Sequence, residues 1–194
     1  MLYILPISHD VQFGKHPVLS TSFPNFLEEK ITELGINLIC EEASEDDLSS
    51  PVNTPLVKNI SIKKSVSYIP IDFGDEERLL LGIPPAEELA DKMLLTNANI
   101  TLITQRTGIF PQEKFDEFRK EMATYEEIRE LLWFEQIKDQ KDKNILLIIG
   151  AGHLSTHRSS RGEGIDTLLK ENGWRFNVLP LDCVAEKFKP TQLP

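Results

Sequence analysis

The chain has 194 residues, of which 40% are hydrophobic and 27% are charged, and its formal net charge is −10 at pH 7. A chain of this length buries a sufficient core as one domain without metals or disulfides. The acidic balance argues against a nucleic acid as partner, because phosphate binding depends on clustered Lys and Arg.

The two cysteines, Cys40 and Cys183, give no sign of a secreted disulfide scaffold. The N-terminus lacks a basic region followed by a long apolar core, and no apolar run approaches the ~18 residues of a membrane span. We therefore expect a cytoplasmic protein that does not bind a membrane. The sequence leaves the oligomeric state open.

Strand and helix signals alternate along the first part of the chain. Strands are predicted from β-branched and apolar runs, and a helix is predicted where apolar residues recur at helical spacing. In chain order these are a strand at 2–7, a helix at 24–34, a strand at 36–40, a mobile loop at 44–64 and a strand at 65–71.

The second part of the chain shows the same alternation. The longest helix is predicted from an apolar stripe with a period near 3.6. The order is a helix at 86–97, an apolar run at 100–104 that fits a strand or a buried segment, a helix at 111–138, a strand at 145–149, a helix at 164–170 and a strand at 174–181. This alternation predicts a single α/β domain over 1–194, with a mainly parallel central sheet flanked by helices.

Polar side chains that can do chemistry follow four of the predicted strands. His9 follows the first predicted strand, Glu41 and Glu42 follow the second, and Asp72 follows the third. His153 follows the predicted strand at 145–149 and the glycines after it. Ligands of parallel sheets bind outside the carboxyl ends of the strands, so these side chains are expected to converge there. Imidazole and carboxylate groups bind divalent transition metals, and they also serve as general acids and bases.

Each of these residues can also be interpreted as purely structural. His9 is then a polar residue with satisfied hydrogen bonds at a strand end, and Glu41 and Glu42 form a solvated turn. Asp72 fits best as the residue that opens a turn before Gly74.

Arg129 lies beside the apolar stripe of the long predicted helix, four residues before Trp133. A buried guanidinium requires a charged partner. In one interpretation the Arg129 side chain extends to water or pairs with Glu126 on its own helix. In the other it points into the carboxylate crevice and holds Glu41, Glu42 or a substrate oxyanion.

Several of these residues together resemble a known family. The chain reads Gly150-Ala-Gly-His-Leu154, then Gly162-Glu-Gly-Ile165, Leu168-Leu169 and Gly173-Trp174. This resembles the C-terminal signature of the TraB/PrgY/GumN-like proteins, which belong with the erythromycin esterase, ChaN and Tiki group of α/β proteins. In that signature a Gly-x-x-His follows a buried strand, and a glycine-bearing loop, a Leu-Leu helix and a last strand come after it.

Outside this segment the resemblance is weaker. The helix with Arg129 is similar to the arginine helix of the family, and Glu41-Glu42 resembles its paired glutamates. The first family motif is also Gly-x-x-His, and here it reads Pro6-Ile-Ser-His9, so the histidine matches and the glycine does not. The chain is also shorter than typical members of the family.

The resemblance implies metal-dependent hydrolysis, as in Tiki-like members, or ester hydrolysis, as in the macrolide esterases. In the first version His9, Glu41 and His153 hold a divalent transition metal (Mn, Co or Zn) that activates water, and Glu42 takes the proton. In the second version His9 or a glutamate activates water without metal, and Arg129 stabilises the charge on the substrate oxygen. The expected substrate is a small molecule or a peptide.

Two other classes of protein share some of these features. Gly150-x-Gly152 after a strand is also found in dinucleotide-binding folds, but the third glycine would fall at Ser155 and no helix signal follows at once, so no nucleotide is expected. A binding or regulatory module that lost the chemistry is favoured by Pro6 and by the basic loop at 157–161. That loop fits recognition of an anionic ligand, a mobile lid over the site or a solvated loop. Such a module would recognise an anionic small molecule or a protein partner.

Overall fold

The computed structural model describes residues 1–85, 88–89, 92–93, 112–157 and 163–180. Five parallel strands form one sheet in the order β3-β2-β4-β1-β5. The strands are β1 (Leu2–Ile7), β2 (Leu38–Glu41), β3 (Ser67–Pro70), β4 (Ile145–Gly150) and β5 (Phe176–Val178). The predicted α/β fold with a mainly parallel central sheet is confirmed.

Helices follow most of the strands. They are α1 (His9–Gln12), α2 (Phe23–Glu33), α3 (Glu45–Ser49), α4 (Leu56–Lys64), α5 (Asp75–Leu80), α6 (Gln112–Ile137) and α7 (Ile165–Glu171). Two short 3₁₀ turns, Ala151–His153 and Ser155–His157, follow β4. The chain places β4 between β1 and β2, so the carboxyl ends of three central strands lie side by side at one edge of the sheet, where ligands of such sheets bind.

The core forms on both faces of the sheet, because successive side chains of a strand point to opposite faces. On one face, Leu2, Ile4, Ile145 and Leu147 pack against Trp133 and Ile137 of α6 and against α7. On the other face, Leu5, Ile7, Leu146 and Ile148 pack against α2 and α4. The continuous apolar run of β4 is therefore explained by burial on both sides.

The segment 44–64, predicted as a mobile loop, contains α3 and α4, so the loop prediction is wrong. Ser44 begins α3 with a capping box, in which its hydroxyl accepts from the amide of Asp47 and the Asp47 carboxylate accepts from the Ser44 amide. Val57 and Ile60 of α4 are buried against the sheet. The acidic and Ser/Pro-rich composition thus marked a helix N-terminus rather than a long loop.

Two further helices were not predicted from the sequence. The four residues of α1 and the six of α5 are too few to show an apolar period. The predicted helix at 86–97, the run at 100–104 and Cys183 lie largely or wholly outside the described residues. The long helix is present as predicted, in one piece.

The buried face of α6 differs from the predicted stripe. Ile128 is 37% exposed, whereas Glu130, Trp133, Phe134 and Ile137 are buried. The buried set follows the spacing i, i+3, i+4 and i+7, with a carboxylate in the first position. The predicted all-apolar stripe includes Phe118 and Ile137, which are buried, and Ile128, which is exposed, so the buried face coincides with that stripe only in part.

Pro6 fits the interior of β1 without losing a sheet hydrogen bond. The backbone groups of Leu2 and Ile4 point toward β5, because the Leu2 amide donates to Arg175 and the Ile4 carbonyl accepts from Leu179. Pro6 faces the same side, beyond the last residue of β1 that pairs with β5. Its missing N–H therefore leaves no gap in the ladder with β4.

No helix within the described residues has both the length and the apolar content needed to cross a membrane.

Candidate functional site

The polar residues singled out in the sequence lie at the carboxyl edge of the sheet. His9 begins α1 two residues after the end of β1, Glu41 ends β2 and Glu42 follows it, and His153 closes the 3₁₀ turn after β4. From the side, α6 contributes Arg129 and Glu130. The parallel arrangement brings these groups together because all strands end at the same edge.

Glu41 and Glu42 face opposite sides of the sheet. They are consecutive residues at the end of an extended strand, where side chains alternate. Glu42 contacts Arg129 on the α6 side, whereas Glu41 contacts Gln12 and Tyr68 on the opposite side. The pair is thus divided between two environments.

Glu42 is the centre of the site. Its side chain is only 2% exposed. Oε1 lies 3.1 Å from Nη2 of Arg129, 3.1 Å from Nε2 of His153 and 3.6 Å from Nε2 of His9. Oε2 accepts a 2.6 Å hydrogen bond from the amide of Gly150. Burial would raise the pKa of Glu42, but the surrounding positive groups, His153 first, hold it well below its usual range.

The glycine at position 150 leaves room for this carboxylate. A Cβ atom there would lie 3.2 Å from Oε2 of Glu42, closer than ordinary contacts. Because other hydrogen bonds hold Glu42 in place, it is not free to move away. The first glycine of the Gly-x-x-His sequence is thereby explained in this chain.

His153 is buried between two carboxylates. Nδ1 lies 2.5 Å from Oε1 of Glu130, and Nε2 lies 3.1 Å from Oε1 of Glu42. The indole of Trp133 packs against the imidazole at a steep angle, with 4.7 Å between the ring centres. Burial lowers the pKa of His153, but Glu42 and Glu130 outweigh it and raise the pKa to about 9. At neutral pH His153 is therefore an imidazolium that donates from both nitrogens.

Arg129 joins Glu42 to Asp72. Its Nη2 donates to Asp72 Oδ2 at 2.7 Å and its Nε lies 3.3 Å from Asp72 Oδ1, while the guanidinium stacks 4.9 Å from the centre of the Trp133 ring. Asp72 also pairs with Arg78 and accepts from Trp133 Nε1 at 3.3 Å. Burial lowers the pKa of Arg129, and the two carboxylates raise it further than burial lowers it. Asp72 thus fixes the guanidinium rather than merely opening a turn.

His9 is the exposed member of the site, with a side chain 58% accessible to solvent. Its Nε2 faces Glu42, and Nδ1 has no hydrogen-bond partner among the described residues. The contact with Glu42 raises the pKa of His9, partly opposed by burial. The imidazole therefore lies between a buried carboxylate and solvent.

Glu41 lies in a less charged environment. Tyr68 donates its hydroxyl to Glu41 Oε2 at 2.5 Å, and Gln12 Nε2 lies 3.4 Å from Oε1. Burial raises the pKa of Glu41 to about 7, against the lowering effect of these two hydrogen bonds. Two adjacent glutamates thus differ in charge near neutral pH, and only Glu42 is a permanent anion.

The donor set as arranged does not fit a metal ion. A metal binds an imidazole through a lone pair, yet both nitrogens of His153 point at carboxylates. Glu41 is directed away from His153 toward Tyr68 and Gln12. In the described part of the chain, no group of three or more His, Cys, Asp or Glu side chains is arranged to hold a metal. The predicted ligand set of His9, Glu41 and His153 stays a prediction for experiment.

The sequence reading missed Glu130 and Gln12. The signal for Glu130 was a carboxylate at helical spacing from Trp133 and Ile137, on the face that packs on the sheet. No comparable signal marks Gln12, because α1 has a single turn. Of the basic loop at 157–161, only the backbone of His157 is among the described residues.

Comparison with known proteins adds no relative. No protein-family model matches the chain, and no match is found among curated proteins or solved structures. The resemblance to the TraB-like proteins therefore stays a prediction based on the motifs alone.

Proposed function

We propose that the protein is a hydrolase of ester or amide bonds, with His9 as general base, Glu42 as the group that orients it and Arg129 as the electrophile. One observation carries this proposal. A half-exposed imidazole lies against a buried carboxylate, and the same carboxylate is bound to a guanidinium. General bases need a pKa near the working pH and a partner that stabilises their charged form.

The geometry suggests how His9 would act. With Nε2 turned toward Glu42, neutral His9 has Nδ1 available to take a proton from water. The resulting imidazolium would be stabilised by the charge of Glu42, 3.6 Å away. Glu42 itself is held ionised by Arg129 and His153, so it does not compete for that proton.

Arg129 is suited to stabilise negative charge on a substrate. Nε and Nη2 are used by Asp72 and Glu42, whereas Nη1 has no hydrogen-bond partner among the described residues. The side chain is 14% exposed, and an arginine keeps its proton at any relevant pH. Because two carboxylates hold the guanidinium in place, it needs little reorganisation to meet a developing oxyanion.

A second candidate is a module that binds an anionic small molecule without catalysis. The observation in its favour is that the two groups of the site that reach solvent, His9 and Arg129, both carry or can carry positive charge. A carboxylate or phosphate oxygen would meet both. Binding with no turnover separates this function from the first.

The test is hydrolysis of p-nitrophenyl acetate and of an acyl p-nitroanilide by wild type, His9→Asn and His16→Asn. His16 is the matched control, since it is a partly exposed histidine of the same region whose Nδ1 accepts from the amides of Val18 and Leu19. Replacing the base should lower kcat/KM by about 10²–10⁴-fold. The control should keep the wild-type value.

The pH profile is part of the same test. Because Glu42 raises the pKa of His9, the rate should increase as the pH passes upward through that raised value. Equal activity of wild type and His9→Asn would exclude His9 as base. No turnover of either probe, together with binding of acetate or phosphate that Arg129→Gln abolishes, would favour the binding module.

A further inference from the structure

Gln12 is a completely buried glutamine at the end of α1. Its Nε2 lies 3.4 Å from Oε1 of Glu41 and 3.2 Å from the backbone oxygen of Glu42. Its Oε1 is buried and has no hydrogen-bond partner in the described part of the chain. One side chain of α1 therefore reaches both glutamates at the end of β2.

Stability alone does not explain a glutamine here. A buried amide oxygen without a partner destabilises the folded state. The neighbours Val11 and Phe13 both pack into apolar clusters, so a methionine or leucine of similar size would suit the position. Residues that break a local rule in this way are most often found at functional sites.

The short helix α1 needs such an anchor. It has a single turn, Ser8 provides no side-chain cap, and helices of this length are unstable without tertiary contacts. His9 is the first residue of this turn and Gln12 is the last, three positions later, where side chains share a face. Fixing Gln12 on the glutamate pair thus fixes the direction in which His9 points.

We propose that Gln12 is the positioning residue of His9. By donating to Glu41 and to the backbone of Glu42, it ties α1 to the end of β2 and holds the His9 imidazole over the Glu42 carboxylate. The expected effect of Gln12 on kcat rests on the proposed function, whereas its expected effect on the His9 pKa does not.

The experiment compares Gln12→Met and Gln12→Leu with Val11→Ala, a control that loosens the packing of α1 without touching its polar contacts. Three quantities are measured for each purified full-length chain. They are the melting temperature, the kcat and KM for p-nitrophenyl acetate, and the pKa of the His9 ring from an NMR titration.

For the Gln12 variants we expect a melting temperature close to that of wild type, because the buried oxygen without a partner is lost together with the two hydrogen bonds that Nε2 donates. We expect kcat to fall about 10-fold to 100-fold with little change in KM, because a base displaced by about 1 Å loses its alignment. The raised His9 pKa should fall toward 6.5, the ordinary value for histidine, as the contact with Glu42 is weakened. Val11→Ala should lower the melting temperature and leave the other two quantities unchanged.

A wild-type His9 pKa in Gln12→Met would overturn the proposal. So would a loss of folding in both Gln12 variants, because the glutamine would then serve stability. If wild type hydrolyses no ester, the proposed function fails, and the NMR titration and melting temperatures still decide the role of Gln12.

Discussion

Replacing Glu130 by glutamine tests the ion pair that organises the site. The variant keeps the shape of the side chain and removes the charge 2.5 Å from Nδ1 of His153. A pKa raised from 6.5 to about 9 corresponds to about 3 kcal/mol in favour of the charged imidazole in the folded state. Glu42 and Glu130 both raise the pKa of His153, so we expect Glu130→Gln to lose only part of this free energy, roughly 1–2 kcal/mol.

The loss should depend on pH in a defined direction. The pKa of His153 is higher in the folded than in the unfolded state. Its stabilising contribution is therefore complete below about pH 6.5 and disappears as the pH rises through about 9. The difference in unfolding free energy between wild type and Glu130→Gln should be largest near pH 6 and should shrink by about pH 10.

Urea denaturation at pH 6, 8 and 10 measures this difference, with Glu127→Gln as the matched control. Glu127 lies on the same helix, three residues earlier, and is exposed. Its replacement should change stability by less than about 0.5 kcal/mol. A Glu130→Gln variant as stable as Glu127→Gln at every pH would refute the reasoning, since His153 would then not depend on Glu130 for its charge.

Three further predictions concern the same edge of the sheet. Gly150→Ala should lower the free energy of unfolding by about 1–3 kcal/mol, because the added Cβ crowds Glu42. The control Gly152→Ala should lower it less, since its Cβ meets no described atom within 4 Å. Equal losses in urea denaturation would contradict this. Asp72→Asn should lower the free energy of unfolding by about 3 kcal/mol, because Arg129 loses one of its two carboxylate partners. A variant as stable as wild type would argue against a stabilising Arg129–Asp72 ion pair. A thermal-shift scan with Mn²⁺, Co²⁺ and Zn²⁺ should leave the melting temperature unchanged, and a rise that disappears in His153→Ala would establish the metal site instead.

The fold class and most of its long elements were readable from the sequence. The run at 145–149 predicted a strand buried on both faces, and the structure has β4 there, between β1 and β2. Local patterns suffice for such elements because burial on two faces demands a continuous apolar run. Short elements such as α1 and α3 were missed because one turn contains too few residues to reveal a period.

Only some of the residues of the candidate site could be predicted from the sequence. Parallel strands alone predict that His9, Glu42 and His153 converge, and the structure brings them together. The sequence did not show that Glu41 faces away from Glu42. That division follows from the alternation of side chains at the end of β2 and from the helices that cover each face.

The sequence by itself determined that β-strands and helices alternate, that the central strand is fully buried and that histidines and carboxylates follow the strands, because composition and period are local properties. The tertiary structure alone decided which charges meet. Glu130 and Arg129 are neighbours in α6, yet Glu130 binds His153 while Arg129 binds Glu42 and Asp72. Such pairing depends on the rotation of a helix over the sheet and on strand order, which bring together residues as far apart in the chain as Glu42 and Arg129, 87 positions.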